Sequence, residues 1–396
     1  MSDGKRLRIG VVGLGRRGQE HLETLAVLTD RFELAGVCDV SDALAQQTAV
    51  AAGVKGYSDL KTFFADSNLD VVVIASSRDT HHTVAKAAGD HRVNMLIETP
   101  LAQTRRLMDL ICETVDKSGV KAEVGEQMWR RPPDRMTKMV IDAGLIGKVL
   151  RTSSYYDDAG DNSVYHTMSR MRVFVGSDVV QARGFTRVWP DVVSRPGGDG
   201  TLMDEHWTQA EVTYENGVLG SVTYVTNWTF PLRAGHPRFC SVEGTDGFVV
   251  TGNGSPNMLR RVEEGRAVDY PLKVETKRIG EYDVPQRFYY ETNPPIEWIN
   301  PYNDRVLDHP KSRTGGYDGI GRAYELDSIH RAVTENVEPV YGLQRARRDQ
   351  ELSVIITEAA RLDTTLPGKL PSEDTVWEAE RHEEFRQTHG SDPFAL

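Results

Sequence analysis

The 396 residues carry a formal charge of −11, with 39% hydrophobic and 27% charged side chains, the balance of a globular chain that can bury cores in two domains. That acidity argues against nucleic acid as the main partner, because phosphate backbones need a basic surface, and no stretch approaches the roughly 18 apolar residues of a membrane span. The cysteines Cys38, Cys112 and Cys240 lie far apart in no metal spacing, and Met1 to Arg8 is short and polar, so the expected setting is a reducing cytoplasm.

The first expected strand, around Ile9, Val11 and Val12, runs directly into Gly13-Leu14-Gly15-Arg16-Arg17-Gly18, and a helix-compatible segment from Gln19 to Leu28 follows. Each glycine has its own task in such a strand-turn-helix unit. Gly13 makes the tight turn, Gly15 lets backbone approach a pyrophosphate, and Gly18 lets the helix pack closely on the strand. The helix amino terminus adds free N–H groups and a partial positive charge. Phe32 to Asp39 reads as a second strand ending in an acid, whose carboxylate suits the hydroxyls of an adenosine ribose and repels a 2′-phosphate. Val40 and Ser41 follow, with no arginine to accept that phosphate, so the pattern points to NAD rather than NADP.

A helix over about 41–52, stopped by Gly53, precedes a short helix with Ser58 or Asp59 as its cap. Leu69 to Ala75 is the β-branched apolar run expected of a strand buried on both faces. It ends in Ser76-Ser77-Arg78-Asp79-Thr80-His81-His82, a polar loop where open α/β sheets bind ligands. His81 reads as a helix cap or surface residue, or as a neighbour of the cofactor. Asn94 to Glu98 is the next strand, followed by Thr99-Pro100, a helix from Thr104 to Ser118 and a strand from Lys121 to Glu126. Strand and helix alternate throughout, so the fold class is α/β, with a doubly wound parallel Rossmann sheet over residues 1–126. Residues 127–396 are left for a second, α+β domain.

Glu126-Gln127-Met128-Trp129-Arg130-Arg131-Pro132-Pro133 leaves the first domain. Ser153 to Tyr156 reads as a strand, and Tyr165-His166 opens a helix running to about Val175. Arg130, Arg131, Arg135, Arg151, Arg170, Arg172, Arg183 and Arg187 crowd this region. The planar guanidinium fork binds carboxylates, sulfonates and phosphates at two points, although solvated or salt-bridged arginines explain the crowding equally well. Trp207 to Tyr214 and Gly220 to Trp228 alternate around Glu215-Asn216-Gly217, a tight hairpin signal, and Phe239 to Val250 reads as a second hairpin. Asp204 and His206 precede the first hairpin, but no second cluster with ligand spacing accompanies them, so no metal is expected. Tyr282 to Gly321, rich in prolines and aromatics, reads as a long functional loop, either a substrate lid or, preferably, a subunit contact. Ala323 to Glu335 and Arg345 to Asp363 read as amphipathic helices, and the charged tail from Glu373 as a surface helix.

Together these motifs resemble the glucose–fructose oxidoreductase / inositol dehydrogenase (Gfo/Idh/MocA) family over nearly the whole chain. The residues that carry the resemblance are Gly13-x-Gly15-x-x-Gly18, Asp39, the Asp70 to Ala75 strand with His81 after it, and Glu98-Thr99-Pro100. Gly144 to Val149 and His166 with Arg172 to Gly176 extend it into the second domain. The resemblance implies an open-faced, mostly antiparallel sheet after the Rossmann domain, with substrate between that sheet and the nicotinamide, and a homo-oligomer (dimer or tetramer). It places Leu14, Arg16, Arg17, Ser76, Ser77, His81, Glu98, Thr99 and Gln127 with the three glycines and Asp39 around NAD. It turns Trp129, Arg130, Arg131, Arg172 and His206 toward a sugar substrate. His166 is the first candidate for the general base, because an imidazole with a pKa near neutrality exchanges a hydride-coupled proton at working pH. Tyr165 or Tyr156 assists as acid or hydrogen-bond donor, and Glu98 completes the catalytic set.

Two departures bear on the reaction. Family dehydrogenases usually read Glu-Lys-Pro, and here Thr99 stands in the middle; Ser169 stands where the family often has an aspartate three residues after the histidine. A threonine hydroxyl has no pKa near neutrality and cannot replace an ammonium as acid or base. A non-lysine Glu-x-Pro looks similar to the family's NAD-dependent glycosidases. The leading expectation is therefore oxidation of a ring hydroxyl, at ring carbon 3, within a redox-neutral glycoside hydrolysis, with an anionic (uronate or sulfonated) glycoside as the substrate suggested by the arginines. The alternative is a net NAD-dependent sugar or polyol dehydrogenase, and the third reading is a catalytically inactive sugar-binding protein.

Overall fold

The computed structural model of the protein describes residues 6–159, 164–193, 202–226, 238–252, 257–307 and 317–395. The chain forms two compact units, and neither is continuous. The first comprises Met1–Gln127, Leu307–Gln350 and Asp374–Leu396, and the second Met128–Val306 and Glu351–Glu373. The first break between the units, Gln127/Met128, lies beside the boundary expected near residue 126, and the segment 127–396 is divided between both units.

In the first unit, strands β1 (Leu7–Val12), β2 (Phe32–Cys38), β3 (Lys55–Tyr57), β4 (Val71–Ile74), β5 (Asn94–Glu98) and β6 (Ala122–Gly125) form a sheet in the order β3-β2-β1-β4-β5-β6. Every pairing in it is parallel. Helices α1 (Arg16–Val27), α2 (Asp42–Ala52), α3 (Leu60–Ser67), α4 (His81–Asp90) and α5 (Arg105–Ser118) make the crossovers. All four residues of β4 are buried, as a strand covered on both faces requires. Each such side chain contributes roughly 1.5–3 kcal/mol by leaving water. Local chemistry fixes the helix ends: Ser41 caps α2, Asp59 rather than Ser58 caps α3, and Gly53 ends α2 in the left-handed region at φ 68°.

The second unit begins with a 3-10 turn and α6 (Pro132–Asp142), whose prolines sit at the first two helical positions, where no N–H is missed. Then come β7 (Val149–Ala159), α7 (Val164–Val175), β8 (Val179–Val193), β9 (Leu202–Tyr214), β10 (Leu219–Thr226), β11 (Phe239–Gly244), β12 (Gly247–Thr251), β13 (Met258–Glu263) and β14 (Arg266–Pro271). A separate three-stranded sheet follows from β15 (Lys273–Ile279), β16 (Tyr282–Tyr290) and β17 (Ile296–Ile299). The last elements are α8 (Asp318–Thr334), α9 (Leu343–Arg361), β18 (Thr365–Pro367) and α10 (Val376–His389). The large sheet runs β14-β13-β12-β11-β7-β10-β9-β8-β18 and is antiparallel except where β10 meets β7. Both expected hairpins are present, and Gly217 turns the first at φ 82°. Trp228, read as the end of that hairpin, lies outside the described residues.

The stretch expected to be a long loop, Tyr282 to Gly321, instead opens with the two strands β16 and β17 and ends in the first turn of α8. β16 is the middle strand of three, and its Pro285 sits at a register shift in the pairing with β15, where a missing N–H costs least. α8 packs within the first unit: Arg322 reaches Thr24 and Glu20 of α1, and Ser328 donates to the buried Glu123 of β6. Gly321 makes this approach possible, because a Cβ there would meet Gln127 at 2.9 Å.

Candidate functional site

The strand-to-helix turn after β1 is built as the glycine pattern requires. Gly13 has φ +88°, and a Cβ on it would lie 2.4 Å from the Ser76 backbone nitrogen. A Cβ on Gly18 would lie 1.9 Å from the Gly13 carbonyl oxygen, so α1 can approach β1 only through a glycine there. At Gly15 an added Cβ meets nothing within 4 Å. That open space lies at the α1 amino terminus, where the cap residue Gly15 has no side chain to bond the first-turn N–H groups. A pyrophosphate fits a cradle of this kind, with backbone donors and a partial positive charge facing it.

Asp39, just beyond β2, is oriented by two backbone N–H groups: Leu14 donates to Oδ2 at 2.8 Å and Ser41 to Oδ1 at 2.9 Å. The carboxylate is thereby aimed beside the glycine turn with lone pairs to spare for a diol. A cavity of about 490 Å³ borders Gly13, Asp39, Val40, Ser76 and Ser77. Arg16 and Arg17 both pair with Glu20, so they steady the first turn of α1 instead of projecting freely.

Glu98 ends β5 almost fully buried and accepts from His21 Nε2 at 2.6 Å, from the Thr99 N–H at 3.2 Å and faces Arg17 Nε at 3.4 Å. Burial works to raise its pKa, but the Arg17 charge and the His21 hydrogen bond overcome this and hold the carboxyl well below its ordinary range. Burial pushes the His21 pKa down, so a neutral imidazole donates to an ionised carboxylate. An acid paired on all sides orients the Thr99 turn and does not shuttle protons. This corrects the expectation that Glu98 belongs to the catalytic set. His21, Glu98 and Glu325 place ligand atoms within 4.8 Å of one another, the one such grouping among the described residues. The charges of Arg17 and Arg322 act on the same His21, a poor setting for a cation.

His81 is neither a surface residue nor next to open solvent. It is buried at the start of α4, with Nδ1 3.1 Å from the Pro100 carbonyl and Nε2 3.2 Å from the Ser76 carbonyl. Burial lowers its pKa. It ties the Ser76-Ser77 loop to the Thr99-Pro100 turn, whose peptide bond is cis. Gln127, at the end of the first unit's leading segment, is buried beside Gly321.

In the second unit, α7 is seated on the large sheet. Met171 fills the space left by Gly220 of β10, and Thr167 Oγ1 lies 3.3 Å from Ser154 Oγ of β7. His166 is half-buried in the first turn of α7, and Ser169 donates to its carbonyl at 3.0 Å. Ser169 thus reinforces the turn at the position where an aspartate was looked for. Tyr165 is wholly buried and meets the His166 ring nearly edge-on, with centroids 5.7 Å apart. It packs against the imidazole and has no surface for a substrate, which corrects the reading of Tyr165 as an acid or donor to substrate. Tyr156 lies on β7, and its side chain falls outside the described residues.

The arginine crowd is largely consumed inside the fold. Asp134 of α6 takes Arg170 at 2.6 Å and Arg131 at 3.5 Å, both almost fully buried. Arg172 faces Asp178 at 3.5 Å, Arg151 pairs with Glu243, and Arg187 lies 3.6 Å from Asp363. Arg130 is buried, with its guanidinium 4.9 Å from the Trp129 ring. Pairing with carboxylates, one of the two explanations the sequence left open, accounts for Arg131, Arg170, Arg172, Arg151 and Arg187. His206 and Asp204 are exposed on β9. The structure therefore places Gly13, Asp39, Ser76 and Ser77 on one cavity, and of the arginines it brings Arg131 and Arg170 to Asp134.

Comparison with known proteins agrees with this geometry. Residues 7–126 match the model of the oxidoreductase family with an NAD-binding Rossmann fold (Gfo/Idh/MocA), so this segment is an NAD-binding domain of that type. The chain is 26% identical over 263 residues to scyllo-inositol 2-dehydrogenase (NAD(+)) of Bacillus subtilis, covering 62% of this chain and 74% of that one. It is 30% identical over 167 residues to inositol 2-dehydrogenase of Salmonella typhimurium, covering 41% of this chain and 49%, about half, of that relative. Among solved structures, levoglucosan dehydrogenase in complex with NADH and levoglucosan aligns with 93% of this chain and 100% of its own. The TM-score is 0.69 and the identity 18%, a likeness of fold alone. Among the described residues, no helix is long and apolar enough to cross a membrane.

Proposed function

We propose that this protein is an NAD-dependent dehydrogenase that oxidises a secondary hydroxyl of a neutral cyclic polyol or sugar. The observation that carries the reading is the open, backbone-lined cradle at Gly13, Gly15 and Gly18, with Asp39 beside it, in a chain whose curated relatives include inositol dehydrogenases. NAD, when bound, supplies the hydride acceptor. What the chain must add is a base for the hydroxyl proton, and the lysine usual in the family is replaced by Thr99. His166 fills that role best. It is an imidazole in the first turn of a helix pinned to the sheet, with its ring braced by Tyr165. Its proton then passes to water as the ketone forms. The pairing of Arg131, Arg170 and Arg172 with carboxylates favours a neutral substrate over a uronate or sulfonate.

Thr99 alone supports a second reading, redox-neutral glycoside hydrolysis, in which oxidation beside the anomeric region permits elimination and the hydride is then returned. The two separate in one assay. Purified protein with NAD is followed at the NADH wavelength against inositols, neutral and acidic sugars and nitrophenyl glycosides. NADH rising with a free neutral polyol supports the dehydrogenase. Nitrophenol released without net NADH, and lost on stripping NAD, replaces it with the second reading. Neither signal across the panel leaves a sugar-binding protein without turnover.

A further inference from the structure

The charged C-terminal tail reads as a surface helix, yet α10 is clamped onto the first unit. Glu378 completes a capping box with Thr375 and also accepts from the Arg105 guanidinium at 2.7 Å, with its own side chain fully enclosed. His382 Nε2 lies 2.7 Å from Thr104 Oγ1, and the Arg106 guanidinium sits 3.8 Å over the Phe394 ring. Phe385 packs against His82 of α4, with centroids 5.7 Å apart.

What the clamp achieves is to bring three residues of the tail to the cofactor cavity. Phe385, His389 and Ser391 border the same space as Gly13, Asp39 and Ser76. His389 is held there twice: Nε2 lies 2.7 Å from Asp79 Oδ2 in the loop after β4, and the ring lies 4.4 Å from that of Phe385. Leu60 lines the cavity too, as does Val40, which is 97% exposed directly after Asp39. An apolar side chain left so bare beside the ribose-binding acid is covered if a flat heteroaromatic group enters. Nε2 is engaged by Asp79 Oδ2; in the tautomer that carries its proton there, Nδ1 is an acceptor, and an exocyclic amine is the donor that matches it.

We propose that Phe385 and His389 of α10 form the adenine-recognising wall of the cofactor site, so that the C-terminal helix is part of the dinucleotide site and not only a brace. The proposal depends on the dinucleotide and not on which alcohol is oxidised. The test is binding, by titration of the full-length protein with NAD and with nicotinamide hypoxanthine dinucleotide, whose base carries a carbonyl in place of the amine. Wild-type protein should prefer NAD. Phe385→Ala should raise the NAD Kd about tenfold or more, in line with the loss of base stacking. His389→Ala should raise it and erase the preference for adenine. Should the alanine variant fail to fold, His389→Phe keeps ring packing on Phe385 while removing both nitrogens, and it should erase the preference likewise. Equal affinity of the wild type for the two dinucleotides would overturn the proposal. So would an unchanged NAD Kd in the folded variants, or weaker binding with the adenine preference intact, which is what a purely structural clamp produces.

Discussion

At the scale of single residues, the glycines of the first turn do different jobs, and substitution should separate them. Gly15→Ala places a methyl in open space, so the fold should be retained while NAD affinity falls at least tenfold, because the added group occupies the pyrophosphate's approach. Gly18→Ala drives a methyl into the Gly13 carbonyl and should cost about 1–3 kcal/mol of stability as well. Melting curves beside NAD titrations read both quantities, and equal melting losses for the two variants would contradict the assignment. His166→Ala should lower kcat by roughly 10²–10⁴-fold with NAD affinity unchanged, as expected for loss of a general base. An unchanged kcat would remove it from that role. The glycine spacing and Asp39 were legible in the sequence because their constraints act over a few residues. The fate of the arginines was not: Arg170 finds Asp134 from 36 residues away, and nothing local distinguishes it from a ligand-binding arginine. Tyr165 and His166 are adjacent in sequence, yet the sequence does not say that one is buried under the other.

At the scale of elements, the sequence showed the helices and hairpins that carry their own punctuation, such as Gly53 after α2 and Asn216-Gly217 between β9 and β10. It hid β16, because Pro285 argues locally for a loop and is tolerated only at the register shift with β15. It also hid the docking of α10, whose anchors are partners in α4 and α5 about 270 residues or more away. Arg105 and Glu378 are both nearly enclosed, so Arg105→Met should cost about 3–5 kcal/mol by leaving a carboxylate buried without its guanidinium. Burial works to raise the Glu378 pKa, but the Arg105 hydrogen bonds prevail and hold it below its ordinary value. A carboxyl depressed in this way adds stability above its unfolded-state pKa and loses it as pH falls through the folded one. Thermal melting should therefore weaken on acidification below about pH 4 in the wild type, and less steeply in Glu378→Gln. Parallel curves would show that this pair does not contribute to acid sensitivity.

At the scale of the whole molecule, the parallel sheet was readable from alternating helix-strand units, and the mostly antiparallel one from the family resemblance together with two hairpin signals. The discontinuity of both units was not, since Leu307–Gln350 and Asp374–Leu396 return to the first unit through contacts that leave no local pattern. The functional reading shifts for a comparable reason. Thr99 taken alone favoured glycoside hydrolysis, whereas the paired arginines and the inositol dehydrogenase relatives together favour net oxidation of a neutral polyol. The most direct measurement of that claim follows a hydride. The protein is incubated with NAD and a polyol deuterated at its ring carbons, chosen as the best substrate of the NADH assay, and cofactor and product are weighed by mass spectrometry. The account predicts NADH bearing one deuterium for each ketone formed. Ketone formed while no deuterium enters the cofactor would contradict it.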